Sequence, residues 1–293
     1  MPSLATVQLQ DDRQDSARKL RGLGQIGKPF AATNFQEEMM MFGQPAPKSW
    51  YFNGAVQTEA LNRLLYVAEQ GESFVLLQGD QGVGKTTLLT QVQAECRRYG
   101  TSAILINMSA LNQEAFLWQL CGSLSIVPSR DQSQSSLMSA IRDEISGRTL
   151  CYHKTVVLLD DLHRATESPD LLVQFLTAIN QQTNGGVTVI AATECGVNPR
   201  LQSLSALKVK LSKLGAADAE SFVQQKLRIA GVTSSYVTED GIAEIVEYGH
   251  GSPGRLNRVC EMLKVASTTD PNMQIDSATV TALTQETLLA DVA

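Results

Sequence analysis

Aromatic residues make up only 5% of the chain, too few for a surface of stacked rings that would hold single-stranded nucleic acid. Positive charge is not in excess either. The net charge is −6, so the surface as a whole does not attract nucleic acid, and only a local basic face stays open. The five cysteines, Cys96, Cys121, Cys151, Cys195 and Cys260, are odd in number, widely spaced and without a CxxC pair, and the three histidines do not cluster with them. That pattern argues against a zinc site and a disulfide framework, and leaves buried free thiols in a reducing cytoplasm as the expectation. No run approaches the roughly 18 consecutive apolar residues of a membrane helix. The N-terminal residues lack the apolar run of a secretory leader. A soluble, cytoplasmic protein is expected, with no internal repeat and no low-complexity tract.

What is present is 293 residues, 43% of them hydrophobic and 18% charged, enough for a large α/β core and a small second domain. Residues 1–47 are polar and weakly periodic and read as a flexible arm. Its run Met39-Met40-Met41-Phe42 suits a contact with the body or with a neighbouring subunit, and Pro45 and Pro47 mark its end.

Residues 48–213 alternate between helical spacing and short apolar runs. Val56, Ala60, Leu64 and Val67 space out a helix over Val56–Gln70. Apolar runs at 73–78, 102–107, 155–159 and 187–192, with a fifth at 207–211, read as strands. Helices are expected between them at 85–99, 112–125, 135–146 and 169–182. This alternation predicts a parallel five-stranded sheet with helices on both faces. From residue 214 to 293 strand signals vanish, and four helices are expected at 216–230, 238–248, 253–267 and 277–289. That break sets the boundary of a small all-helical domain.

The first strand runs into Gly79-Asp80-Gln81-Gly82-Val83-Gly84-Lys85-Thr86, a full GxxxxGK[ST] pattern between a strand and a helix. Glycines let successive backbone N–H groups curl around one anion, and the helix N-terminus adds partial positive charge. Lys85 is expected to reach the β- and γ-phosphates of a nucleoside triphosphate. The Thr86 hydroxyl is expected to bind Mg²⁺, with Thr87 next to it in the same cradle.

The third strand closes in Asp160-Asp161. In a parallel sheet this end lies beside the phosphate loop, so Asp160 suits Mg²⁺, and Asp161 suits orienting or deprotonating the attacking water. Thr193 ends the fourth strand, expected between the loop strand and the acidic strand. It is either a γ-phosphate contact or a strand-end turn residue. Asn107, at the end of the second strand, is a lesser candidate for holding the catalytic carboxylate. Arg255 opens a helix in the second domain and is a candidate for facing the γ-phosphate. Arg200 is either an arginine finger acting across a subunit boundary or a surface residue. His163 and Arg164 are expected at a surface or subunit contact, outside the chemistry.

With those residues in place, the chain resembles AAA+ ATPases of the ExeA type, the secretion-pathway protein A group, to which the TniB-like transposition helper ATPases are related. The resemblance runs from about Lys48 to Ser267. It is carried by the lead-in PKSWYFNGAVQTEALNRLLYVAEQGESFVLLQGDQGVGKTTLL and by the segment YGHGSPGRLNRVCEML. It implies a P-loop NTPase core with a helical lid, ATP and Mg²⁺ bound between them, and assembly into a homo-oligomeric ring or filament. It supports Gly79, Gly84, Lys85 and Thr86 as nucleotide ligands, Asp160 for magnesium, and Arg255 as the lid sensor arginine.

Two departures stand out. The family's Asp-Glu pair is Asp160-Asp161 here, and the shorter second carboxylate points to slow hydrolysis or a nucleotide switch. Secretion members usually continue into a membrane helix and a peptidoglycan-binding region, which these residues lack, so an envelope anchor is not expected. The implied activity is ATP hydrolysis coupled to assembling or remodelling a complex with an unidentified protein partner. The alternative is ATP-dependent DNA binding, for which Arg200, Lys208, Lys210, Lys213, Lys226, Arg228, Arg255, Arg258 and Lys264 supply positive charge.

Overall fold

A computed structural model describes residues 50–129, 131–194, 199–232, 236–269 and 274–290. The expected arm at 1–47, with its Met39–Phe42 run, lies outside them, as does Cys195. Helix α1 (Ala55–Gln70) leads into strand β1 (Phe74–Gln78) and helix α2 (Lys85–Arg98). Then come β2 (Ser102–Asn107), α3 (Gln113–Ser123), α4 (Gln134–Leu150) and β3 (Thr155–Asp160). A single 3-10 turn, Leu162–Arg164, precedes α5 (Asp170–Gln182), β4 (Val187–Thr193), α6 (Pro199–Leu204) and β5 (Leu207–Lys210). Four helices follow: α7 (Ala216–Ile229), α8 (Glu239–Gly249), α9 (Pro253–Thr269) and α10 (Ser277–Ala290).

The five strands form one parallel sheet in the order β2-β3-β4-β1-β5. Every residue of β3 and β4 is buried, because helices cover both faces. These strands therefore read as continuous apolar runs rather than alternating ones. Edge strand β5 does alternate, with Lys208 and Lys210 exposed on either side of buried Val209. Lysines on an open edge discourage pairing with a second sheet.

Helix starts follow local chemistry. Asn112 caps α3 by accepting from Ala115 N–H at 2.8 Å, and Thr238 caps α8 by accepting from Gly241 N–H at 3.2 Å. Helix α4 extends to Leu150, past the expected end at Ser146. Arg148 holds the added turn, donating to Glu144 Oε1 at 2.7 Å and to the Leu124 carbonyl at 2.8 Å. The short α6 and the 3-10 turn carry too few residues for a periodic signal and were not expected from the sequence.

Among the described residues, apolar side chains are buried on both faces of the sheet and in the C-terminal helices. One sheet face is filled by Phe74, Leu76, Phe116, Ile141 and Leu176, and Leu64, Val75, Leu77, Leu89 and Leu158 are buried apart from them. A helical core lies among the C-terminal helices around Phe222, Val223, Ile245, Leu256 and Leu263. Burying each such side chain contributes about 1.5–3 kcal/mol. Phe52, from the lead-in before α1, belongs to the helical core, and Trp50 packs against it. The Phe222 ring meets Trp50 at 5.0 Å and Phe52 at 5.4 Å between centroids, both edge-on. Cys96, Cys121 and Cys260 are buried free thiols, whereas Cys151 is exposed rather than buried as expected, because it follows the end of α4 at the surface. Among the described residues no helix is long and apolar enough to cross a membrane.

Candidate functional site

The phosphate-loop sequence occupies the turn between β1 and α2, at the C-terminal edge of the sheet. Gly82 and Gly84 have φ of +77° and +98°, a region that side-chain-bearing residues rarely adopt. Helix α2 opens at Lys85 with no side-chain cap and no acidic residue in its first turn. Its first amides are thus left to an external acceptor, which suits an anion. Lys85 is only 7% exposed, and its Nζ donates to the Gly79 carbonyl at 2.8 Å and the Asp80 carbonyl at 2.9 Å. Thr86 and Thr87 are exposed and line a cavity of about 430 Å³, together with Gln81, Gly82, Val83, Gly84 and Lys85. Gly79 and Asp80 shape the loop from behind and do not line it.

Asp160 and Asp161 diverge at the end of β3. Asp160 is 3% exposed, and its Oδ1 accepts from Asp161 N–H at 3.0 Å. Asp161 turns into the left-handed region, with φ of 50°, and faces the same cavity as the loop. Aspartate tolerates this conformation better than most residues. The turn is knitted to the one after β2: Met108 N–H donates to the Asp160 carbonyl at 2.8 Å and Ala110 N–H to the Arg164 carbonyl at 3.1 Å. Ser109 Oγ donates to Asp161 Oδ2 at 3.4 Å. Asn107, in register with Asp160, instead accepts from Ser109 N–H at 2.8 Å. Asn107 therefore shapes the turn, and Ser109 makes the contact with Asp161.

Strand β4 lies between β1 and β3, as expected, which sets Thr193 beside Gln78 in register. Thr193 is fully buried, and its Oγ1 donates to the Glu194 carbonyl at 3.3 Å. The next residue, Glu194, reaches the cavity wall and pairs with His163 Nε2 at 3.3 Å. Arg164 is exposed, as expected, and lines the cavity as well. Arg200 lies exposed on α6, and Arg255 lies exposed in the first turns of α9, outside the cavity lining.

The start of α9 meets the phosphate loop through other residues. Gly254 N–H donates to the Gly82 carbonyl at 2.8 Å, and Ser252 Oγ donates to the same oxygen at 3.3 Å. A Cβ on Gly254 would stand 3.1 Å from the Gly82 Cα and carbonyl oxygen, so a side chain here would press on the phosphate-loop backbone. The far wall of the cavity combines Trp50, Phe52 and Gln57 with Phe222, Lys226 and Asn257.

Sequence reasoning missed Ser109, Arg164, Glu194, Gly254 and Gln57. Gln57 carried a signal. The buried face of α1 is Gln57, Ala60, Leu64 and Val67, so a polar residue occupies the first position of an apolar stripe that the sequence reading began at Val56.

Residues 68–201 match the family model described as an AAA domain. The chain is 27% identical over 237 residues to General secretion pathway protein A of Aeromonas hydrophila, covering 76% of this chain and 42% of that protein. It thus spans well under half the length of that relative. Among solved structures, Drosophila ORC bound to DNA superposes with a TM-score of 0.64 at 15% identity, covering 88% of this chain and 65% of that one. Cdc6p from Pyrobaculum aerophilum superposes with a TM-score of 0.63 at 14% identity, covering 79% and 66%. The fold is that of a P-loop AAA+ protein, and the resemblance to ATPases of the ExeA type, read first from motifs, holds in the comparison of sequences.

Proposed function

We propose that this chain, built on the P-loop AAA+ fold and similar to ATPases of the ExeA type, binds ATP with Mg²⁺ and hydrolyses it to assemble or remodel a macromolecular complex. The observation that carries the proposal is one cavity walled by the uncapped start of α2 on one side and by Asp161 on the other. In this reading residues 48–213 form the nucleotide-binding domain and residues 214–293 the helical lid.

The residues fit the ligands. Amides of Gln81–Thr87 surround the phosphates, with Gly79 and Asp80 shaping the turn before them, and Lys85 exchanges its carbonyl partners for phosphate oxygens, where a charged donor is stronger. Among the described residues no cluster of three or more metal-ligating side chains occurs. Mg²⁺ commonly takes one or two carboxylates along with phosphates and waters, and here Asp160 would supply the carboxylate and Thr86 a hydroxyl. Bound there, the ion would supply charge neutralisation at the phosphates. Asp161 orients or deprotonates the water that attacks the γ-phosphorus. Ser109 holds the Asp161 carboxylate, and Thr193 supports the γ-phosphate end. Arg255 acts as a lid sensor if the helical domain rotates on binding, and Arg200 acts across a boundary in a homo-oligomer.

Magnesium-dependent release of phosphate from ATP by the purified chain tests the proposal. The expected result is turnover that Asp161→Asn removes; no measurable affinity for any purine triphosphate would overturn it. Slow turnover with tight binding would favour the nucleotide-switch form.

The alternative of an ATP-dependent DNA-binding assembly factor is favoured by the exposed lysines of β5, Lys208 and Lys210. A DNA shift assay across salt concentrations, with and without a nonhydrolysable ATP analogue, separates the two. Nucleotide-dependent and salt-sensitive binding selects the alternative. The protein partner and a cytoplasmic site of action belong to the same proposal.

A further inference from the structure

Gln57 is a buried amide with nothing to bond. It is 6% exposed, and neither Oε1 nor Nε2 has a hydrogen-bond partner among the described residues. Buried polar atoms are nearly always paired, and one left unpaired needs a reason. Two features show that the position is built. Gly54 makes room for the amide: a Cβ there would stand 2.4 Å from Gln57 Oε1 and 2.7 Å from Phe52 Cε1. Tyr51 fixes the backbone beneath, its Oη donating to the Gln57 carbonyl at 3.2 Å. Gln57 also lines the same cavity as the phosphate loop, on the wall that Phe52 and Trp50 make apolar.

We propose that Gln57 reads the nucleobase, and that the base is adenine. The inference rests on the ATP-binding reading above. A glutamine amide presents an acceptor and a donor side by side. Adenine presents the complement, its 6-amino group as donor and a neighbouring ring nitrogen as acceptor. Gln57 Oε1 accepts from the 6-amino group and Nε2 donates to the ring nitrogen. The flanking rings keep water away, so a base lacking the 6-amino group leaves Oε1 as unpaired as it is without ligand. A site built to pair a polar group discriminates strongly against a ligand that lacks it.

The test is calorimetric titration of the full chain, with Mg²⁺, against ATP, GTP, purine riboside triphosphate (which lacks the 6-amino group) and inorganic tripolyphosphate. The wild type is expected to bind ATP roughly tenfold or more tighter than purine riboside triphosphate, the range of one paired amide. Gln57→Leu is expected to lose that preference while keeping its affinity for purine riboside triphosphate and tripolyphosphate. Its melting temperature should hold or rise, since it replaces unpaired polar atoms with an apolar group of similar size. Gln57→Met repeats the measurement with an unbranched side chain, should the leucine variant fold poorly. An unchanged ATP preference in the variants, an equal loss for all ligands, or a GTP preference that depends on Gln57 overturns this inference alone. A wild type that binds none of the four overturns the ATP reading along with it.

Discussion

The two ends of the cavity are made of different material. In the proposed reading the ligand-facing groups at the phosphate end are mainly backbone amides from one continuous stretch, Gln81–Thr87, with a single lysine. At the other end they are side chains from segments far apart in the chain, Trp50–Gln57, Phe222 and Asn257. The first arrangement needs particular residue types at fixed spacing, because only glycine reaches the required φ values and only a helix start presents free amides. The second needs only that a few rings and one amide meet in space, and many sequences satisfy that. In the proposed reading, phosphate recognition is therefore written locally, and recognition of the rest of the ligand is written in the tertiary fold.

Removing Lys85 should give the largest effect. Lys85→Ala is expected to weaken ATP and tripolyphosphate alike by about a hundredfold or more in titration, since both present the same charged tail. A loss confined to ATP would break the division between the two ends. Next comes Asp161→Asn, expected to lower kcat about a hundredfold, the scale of a general base, with ATP affinity within about threefold. Glu194 is the control for that measurement. If Glu194→Gln costs more turnover than Asp161→Asn, the longer carboxylate beside His163 does the work assigned to Asp161.

Gly254→Val should sharpen the comparison from the helical side. Its side chain would meet the Gly82 backbone, and overpacking of this kind typically costs about 1–3 kcal/mol. The expected result is weaker binding of ATP and tripolyphosphate together, with the melting temperature lowered by roughly 2–12 °C. Unchanged tripolyphosphate affinity would mean that the helical region does not reach the phosphate end.

The smallest effect lies furthest from the cavity. Asp276 accepts from Thr279 Oγ1 at 2.7 Å and Thr279 N–H at 2.9 Å at the start of α10, and these bonds hold its carboxyl below the usual carboxylate range. A pKa lowered in the folded state adds stability above the ordinary carboxylate pKa and loses it as pH falls through the folded value. Asp276→Asn should flatten the acid limb of the melting temperature slightly and leave ATP binding unchanged. A change in binding would link α10 to the cavity.

The same physics explains what the sequence could reveal. The sheet was legible because buried parallel strands are unbroken apolar runs, and β4 sits between β1 and β3 as expected. The loop before α2 and Asp161 were legible as neighbours, because their motifs follow strands of one parallel sheet whose ends open on one cavity. Glu194 was not, since a carboxylate after a strand is ordinary until a fold sets it opposite a histidine. Gly254 was hidden inside a segment where Arg255 drew attention, although the glycine touches the loop and the arginine points outward. Ser109 escaped because its contact with Asp161 spans two separate turns.

One bond described above reaches further than its length. The Gly82 carbonyl, held by Gly254, shares a rigid trans amide plane with the Val83 N–H, and the two point in opposite directions. Tilting that plane from outside must swing the hydrogen on its inner side. In the proposed reading, a shift of α9 is thereby converted, without any intervening side chain, into a change of aim at the phosphate cradle. A tilt of the cradle returns to the helix along the same lever.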